Sequence, residues 1–168
     1  MLKSLRNLVA ALSGGIVMIG IASSFVLPED AGQETPVWLW LGIVGLGIAV
    51  FLLLETIGYR TAAIAPGTPA EAAERTSRMA FSTGTILRCA GSESVAVASL
   101  ALAFVFGGGI TTYAVGAVVA LALIAFHAWP SARPIEKTRA SLERDGAVSH
   151  LHLALGLPPA STGPIQEL

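Results

Sequence analysis

Charge is what this sequence has least of. Asp, Glu, Lys and Arg make up 12% of its residues, against about 25% in a soluble domain. A small soluble protein needs polar side chains to cover its surface, so this scarcity, with 54% hydrophobic residues, excludes an ordinary soluble globule. The net charge of −1 provides no basic field, and nucleic acid is excluded as a partner. Cysteine is almost absent: the lone Cys89 permits no intrachain disulfide. No serine–histidine–acid set, phosphate loop or zinc motif occurs, so neither an enzyme nor a cofactor is expected. His150 and His152 fall on different helix faces, away from the i, i+4 spacing that clamps a metal. No metal site is expected. Lysine is scarce beside arginine, and Ala, Gly and Leu dominate, which fits a GC-rich bacterial coding background.

What the chain does have is long apolar runs. A helix crossing a hydrocarbon core of about 30 Å needs about 20 mostly apolar residues. Four runs meet this, at 8–27, 37–58, 80–106 and 110–129. They are apolar all round, which favours spans over helices lying on a surface. Trp38, Trp40, Tyr59, Tyr113 and Trp129 lie near the ends of the runs, where amphipathic rings favour the headgroup layer, and His127 reads as a further interfacial residue. The first run follows Lys3 and Arg6 as a signal peptide would, but it exceeds the about 7–15 apolar residues of a signal core and reads as a retained span. The fold class is therefore all-α, an integral membrane four-helix bundle over residues 1–130, followed by an amphipathic tail over 131–168.

Basic residues orient the spans. Lys3 and Arg6 precede the first; Arg60, Arg75 and Arg78 lie between the second and third; Arg133, Lys137, Arg139 and Arg144 follow the fourth. The 1–2 connection "PEDAGQETP" carries only acids, and the 3–4 connection "GGG" has no charge. Both termini and the 2–3 connection are thus expected in the cytoplasm of an inner-membrane, multi-pass protein. Within the 2–3 connection, Thr68 and Pro69 read as cap and first position of a helical lead-in to the third span. In the tail, "IEKTRASLERDG" reads as a short charged helix closed by Gly146, and "LPPASTGPIQEL" as a proline-rich, mobile end.

The third run contains two charges in "ILRCAGSESVAV". At 1.5 Å per residue, Arg88 lies about 12 Å along the helix from Ala80 and Glu93 about 20 Å. Arg88 can snorkel back toward the headgroups. Glu93 is too short and too deep to follow, so it must pair, bind an ion or hold a proton. Five residues turn the helix through about 140°, which is poor for a direct Arg88–Glu93 pair. Glu55, at the end of the second run and of comparable depth, is the expected partner of Arg88 in a polar clasp. Glu93 is left with Thr85, Ser92, Ser94 and Ser99 nearby in sequence, or a neighbouring subunit. Gly42, Gly45 and Gly47 read as a packing groove for a neighbouring helix.

"GSESVAVASLALAFV" (91–105) resembles the carboxylate-bearing helix of the ATP synthase c subunit, and "GIVGLGIAV" (42–50) its glycine-rich partner helix. The resemblance implies a proton-binding role for Glu93. It departs from that family in having four spans, no polar loop motif between helices, and an arginine shortly before the glutamate. As a whole the chain resembles small four-span bacterial membrane proteins, including their "HAWPS…LERDGAVSHL" tail. The expected function is that of a structural or accessory component of a membrane assembly, in contact with membrane lipid and forming a homo-oligomer or larger complex. The alternative is an ion- or proton-handling subunit that uses Glu93.

The charge distribution makes a direct prediction about topology. Reporter fusions at Gly32 and Gly67 should report opposite sides of the membrane; the same side for both would remove the four-span reading.

Overall fold

The computed structural model describes residues 1–27 and 35–158. The acidic connection at 28–34 and the proline-rich end at 159–168 lie outside the described residues. Those described form helices and no strand: α1 (Leu2–Ser24), α2 (Val37–Thr56), α3 (Ala70–Phe106), α4 (Gly109–Leu123), a π-helical turn (Ile124–Ala128), α5 (Ala132–Leu142) and α6 (Leu151–Leu155). Four helices, α1, α2, α3 and α4 with its π turn, are long and apolar enough to cross a membrane. Their outer faces are apolar as well: Met18, Leu41, Leu53, Leu87, Val105 and Val118 are all exposed. That is the surface of a protein with a hydrocarbon solvent.

The helices overrun the apolar segments expected from sequence. α1 begins at Leu2, and the lead-in to the third span is continuous with it, so that α3 runs unbroken for 37 residues. Pro69 sits at the cap position itself rather than inside the first turn. At the far end, the chain reverses within three glycines. Gly107 and Gly109 both take positive φ (66° and 61°), a conformation that glycine enters without steric cost.

That tight reversal sets α4 against α3, and the contact is closest at Gly116. A Cβ there would lie 1.8 Å from Ser99 Oγ and 3.3 Å from the Val95 carbonyl, so only glycine fits. Gly47 does the same for α2 on α4, where a Cβ would meet Val119 Cγ1 at 2.5 Å. Gly42 and Gly45, expected to share one groove with Gly47, have nothing within 4 Å. Helical rotation separates them: Gly47 lies about 140° around the helix from Gly42 and about 160° from Gly45, which leaves those two on the outer face. α1 packs against α3 and α4, and its Ile16 carbonyl accepts a 2.6 Å hydrogen bond from the Tyr113 hydroxyl.

Two cores result. One lies among the apolar helices and includes Val9, Ile43, Val95, Tyr113, Ala120 and Ile124. The second gathers Phe81 and Ala73 of α3 with Leu5, Ile64, Leu142 and Leu151. The described part of the tail therefore folds back onto the first turns of α3. Ser77 Oγ donates to the Ser149 carbonyl (2.6 Å), and the Ile64 amide donates to the Leu142 carbonyl (2.9 Å).

Glycine substitutions should separate the inner contacts from the open face. Gly116→Val overpacks the α3–α4 contact and should cost about 1–3 kcal/mol, read as a lowered Tm in detergent. Gly45→Ala meets open space and should leave Tm unchanged or slightly raised. Equal losses for the two would contradict this packing.

Candidate functional site

Where α2 and the π turn end, their last carbonyls point into the protein rather than to water. Helix C-termini leave such carbonyls without partners along the helix, and they carry partial negative charge. Pro130 follows the π turn and has no N–H to offer. Arg88 fills this role from α3. Its Nε donates to the His127 carbonyl (2.8 Å) and its Nη1 to the Gly58 carbonyl (3.1 Å). Nη2 donates to Thr85 Oγ1 (3.1 Å), which itself donates to the Phe81 carbonyl. The guanidinium is 1% exposed and stacks 4.6 Å from the centre of the Tyr59 ring. One buried cation thus ties together the ends of two helices.

The expected Arg88–Glu55 clasp does not form. Glu55 turns instead toward α5, where Oε2 accepts from Arg133 Nη2 (2.6 Å) and Oε1 from Lys137 Nζ. Arg133 and Lys137 are four residues apart and share one face of α5, which presents both to the same carboxylate. The pairing differs because Arg88 reaches inward to buried carbonyls while the Glu55 side chain, 30% exposed, lies at the outer edge.

Tyr59 and His127 connect the two sets. The Tyr59 hydroxyl lies 3.0 Å from His127 Nδ1 and accepts from Arg133 Nη1 at 3.2 Å. Burial pushes this hydroxyl above its ordinary pKa, so it remains a phenol. His127 is fully buried, wedged edge-on against Phe51 and Phe126, and its Nε2 has no hydrogen-bond partner among the described residues. Both residues correct the interfacial reading, as does Tyr113, which is buried against α1. Trp38, Trp40 and Trp129 are exposed.

Glu93 sits apart from this knot. It is half-buried in a groove of about 230 Å³ between α1 and α3, lined by Ala11, Gly15, Ile16, Ala96 and Leu100 among others. None of the hydroxyls near it in sequence reaches its carboxyl. Thr85, Ser92 and Ser99 each donate to the carbonyl four residues earlier, and Ser94 to the one three residues earlier. Short hydroxyl side chains on a helix find their own backbone first. Tyr113, which lines the same groove, has committed its proton to Ile16. Glu93 therefore has no hydrogen-bond partner among the described residues.

The sequence reading missed four members of the knot: Tyr59, His127, Arg133 and Lys137. Two signals pointed to three of them, and none to Tyr59. One is a histidine just before a helix-ending proline; the other is a pair of cations at i, i+4 after it.

Stability should rank these contacts. Arg88→Met strands one buried and one part-buried carbonyl and should cost about 1–3 kcal/mol, the range for an unsatisfied buried group. Glu55→Gln, partly exposed, should cost about 1 kcal/mol or less. In double-mutant cycles Glu55 should couple more strongly to Arg133 than to Arg88; thermal unfolding in detergent tests both statements, and the reverse order would refute the geometry. No known protein family, curated protein or solved structure matches the chain, so its functional reading rests on these residues and their surroundings.

Proposed function

We propose that the protein is a multi-pass protein of the bacterial inner membrane, a four-helix bundle with both termini in the cytoplasm. We further propose that it serves as an accessory component of a membrane assembly with no chemistry of its own. The four long apolar helices and their apolar outer faces support the membrane setting. The clustering of Arg and Lys at the ends and in the 2–3 connection supports the orientation.

The observation that carries the accessory reading is the unpartnered carboxyl of Glu93 in an open apolar groove. A charged group at that depth costs at least about 2.5–3.5 kcal/mol on a lipid-facing helix. A neighbouring helix bearing a hydrogen-bond donor, from a second copy or another subunit, removes that cost. The small residues Ala11, Gly15 and Ala96 at the groove allow a backbone to come close. Gly42 and Gly45 offer a second face of low relief on α2.

A second reading, proton or ion handling by Glu93, is favoured by the same placement. A carboxyl at a groove rather than locked inside a polar clasp is accessible to a partner, as the resemblance to the ATP synthase c subunit implies. Against it, the hydroxyls around Glu93 are all bonded to backbone carbonyls, so no relay of hydroxyls leads to it among the described residues.

Glu93→Gln and Glu93→Leu separate these readings. Complexes extracted in mild detergent and analysed by mass spectrometry should retain the partner with Glu93→Gln, which keeps hydrogen bonding, and lose it with Glu93→Leu. Retention by both variants would overturn the docking role. Intact assembly with Glu93→Gln but loss of proton flux in reconstituted vesicles would establish carriage instead.

A further inference from the structure

A groove near the charged knot lies on the other side of α3, between it and the end of α2, with a volume of about 570 Å³. Its walls are apolar, with Leu53, Ile57, Met79 and Leu87 all more than half exposed along it. Its charges are of one sign. Arg60 and Arg88 line it, and no acidic residue does. Glu55, the acid that precedes it on α2, has both oxygens engaged by Arg133 and Lys137.

Arg88 meets this groove at a floor made of glycine. Gly58, Gly84 and Gly91 all line it, and a Cβ on Gly84 would stand 3.0 Å from Arg88 Nη1. The absence of side chains there places the guanidinium close beneath the groove, although Arg88 is itself only 1% exposed. Three of its five N–H groups are matched within the protein. The carbonyls it caps orient it, and no carboxylate among the described residues lies within ion-pair distance. Its charge is offset by the partial negative charge of the helix ends that carry those carbonyls rather than by a neighbouring anion. Arg60 at the end of α2 adds a second charge, and Thr76 and Thr83 add hydroxyls along the same wall.

We infer that this groove binds an anionic phospholipid, its phosphate held by the exposed Arg60 and attracted by the buried charge of Arg88 beneath it, with an acyl chain laid against Leu53, Ile57 and Leu87. A phosphodiester carries one negative charge and two free oxygens, which suit guanidinium donors. Apolar walls continuous with two charges match an amphiphile better than a free anion. A headgroup with its own cation, such as choline, meets repulsion from Arg60, whereas a glycerol headgroup does not.

The test uses the full chain in vesicles of phosphatidylcholine with phosphatidylglycerol, with bound lipid counted by native mass spectrometry. Wild type should retain phosphatidylglycerol over phosphatidylcholine. Arg60→Gln, at an exposed residue, should weaken retention about five-fold, since one cation near a lipid surface is worth about 1 kcal/mol. Thr83→Trp, which fills the groove from an exposed position, should weaken it with helix content unchanged. Arg78→Gln, an equal loss of charge outside the groove, should leave it unaltered. Equal retention of the two lipids, or equal losses from Arg60→Gln and Arg78→Gln, would overturn the inference. Displacement of the lipid by inorganic phosphate at equal concentration would also overturn it, by assigning the site to a free anion.

Discussion

The arrangement depends on a single buried guanidinium that joins the ends of two helices. A helix that stops inside a protein leaves carbonyls that water cannot reach, and something must donate to them. Arg88 does so for the ends of both α2 and the π turn, at His127 and Gly58. Its fork of donors allows one side chain to reach three acceptors on three segments, which a lysine's compact charge does less well. The partial negative charge of the two helix ends lowers the cost of the buried cation without an ion pair. Glu55 is thereby left to hold α5, and through it the tail, to the same corner.

α3 runs through both cores, as α1 does with Val9 and Leu5. Val95 and Ala96 belong to the core among the apolar helices, and Ala73 and Phe81 to the core beneath the tail, with Arg88 between them. The two cores are built differently. The first relies on glycine contacts, with Gly116 on Ser99 and Gly47 on Val119, because between helices in hydrocarbon, close packing replaces the hydrophobic effect. The second uses Phe81, Leu142 and Leu151 with backbone and hydroxyl hydrogen bonds, in the manner of a small soluble domain.

The four apolar helices were legible because length and hydropathy alone identify them, and the lead-in from Ala70 because Pro69 marks its start. Partners were harder to read. Arg88 and Glu55 have matching depth and opposite sign, yet depth does not reveal which way a side chain turns. Of the two backbone carbonyls that attract Arg88, that of His127 arises where the π turn and Pro130 end α4, and no pattern in the sequence marks a π turn. Tyr59 and Tyr113 sit near span ends, as interfacial tyrosines do, but each has a buried hydrogen-bond partner, which only the packed structure reveals. The hydroxyls around Glu93 were counted as neighbours because they are close in sequence. On a helix, that closeness favours their own backbone.

The unbroken length of α3 has a mechanical consequence. Glu93 and Ala73 stand on one continuous helix, about 30 Å apart at 1.5 Å per residue. No proline interrupts it and no loop lies between them to absorb a bend. A pivot of about 5° about Glu93 therefore displaces the Ala73 end by about 2.6 Å, roughly half a helical turn. Leu142, Leu151 and the Ser77–Ser149 hydrogen bond sit at that end of the lever. A small tilt within the apolar layer is thus delivered, amplified, to the polar face of the molecule.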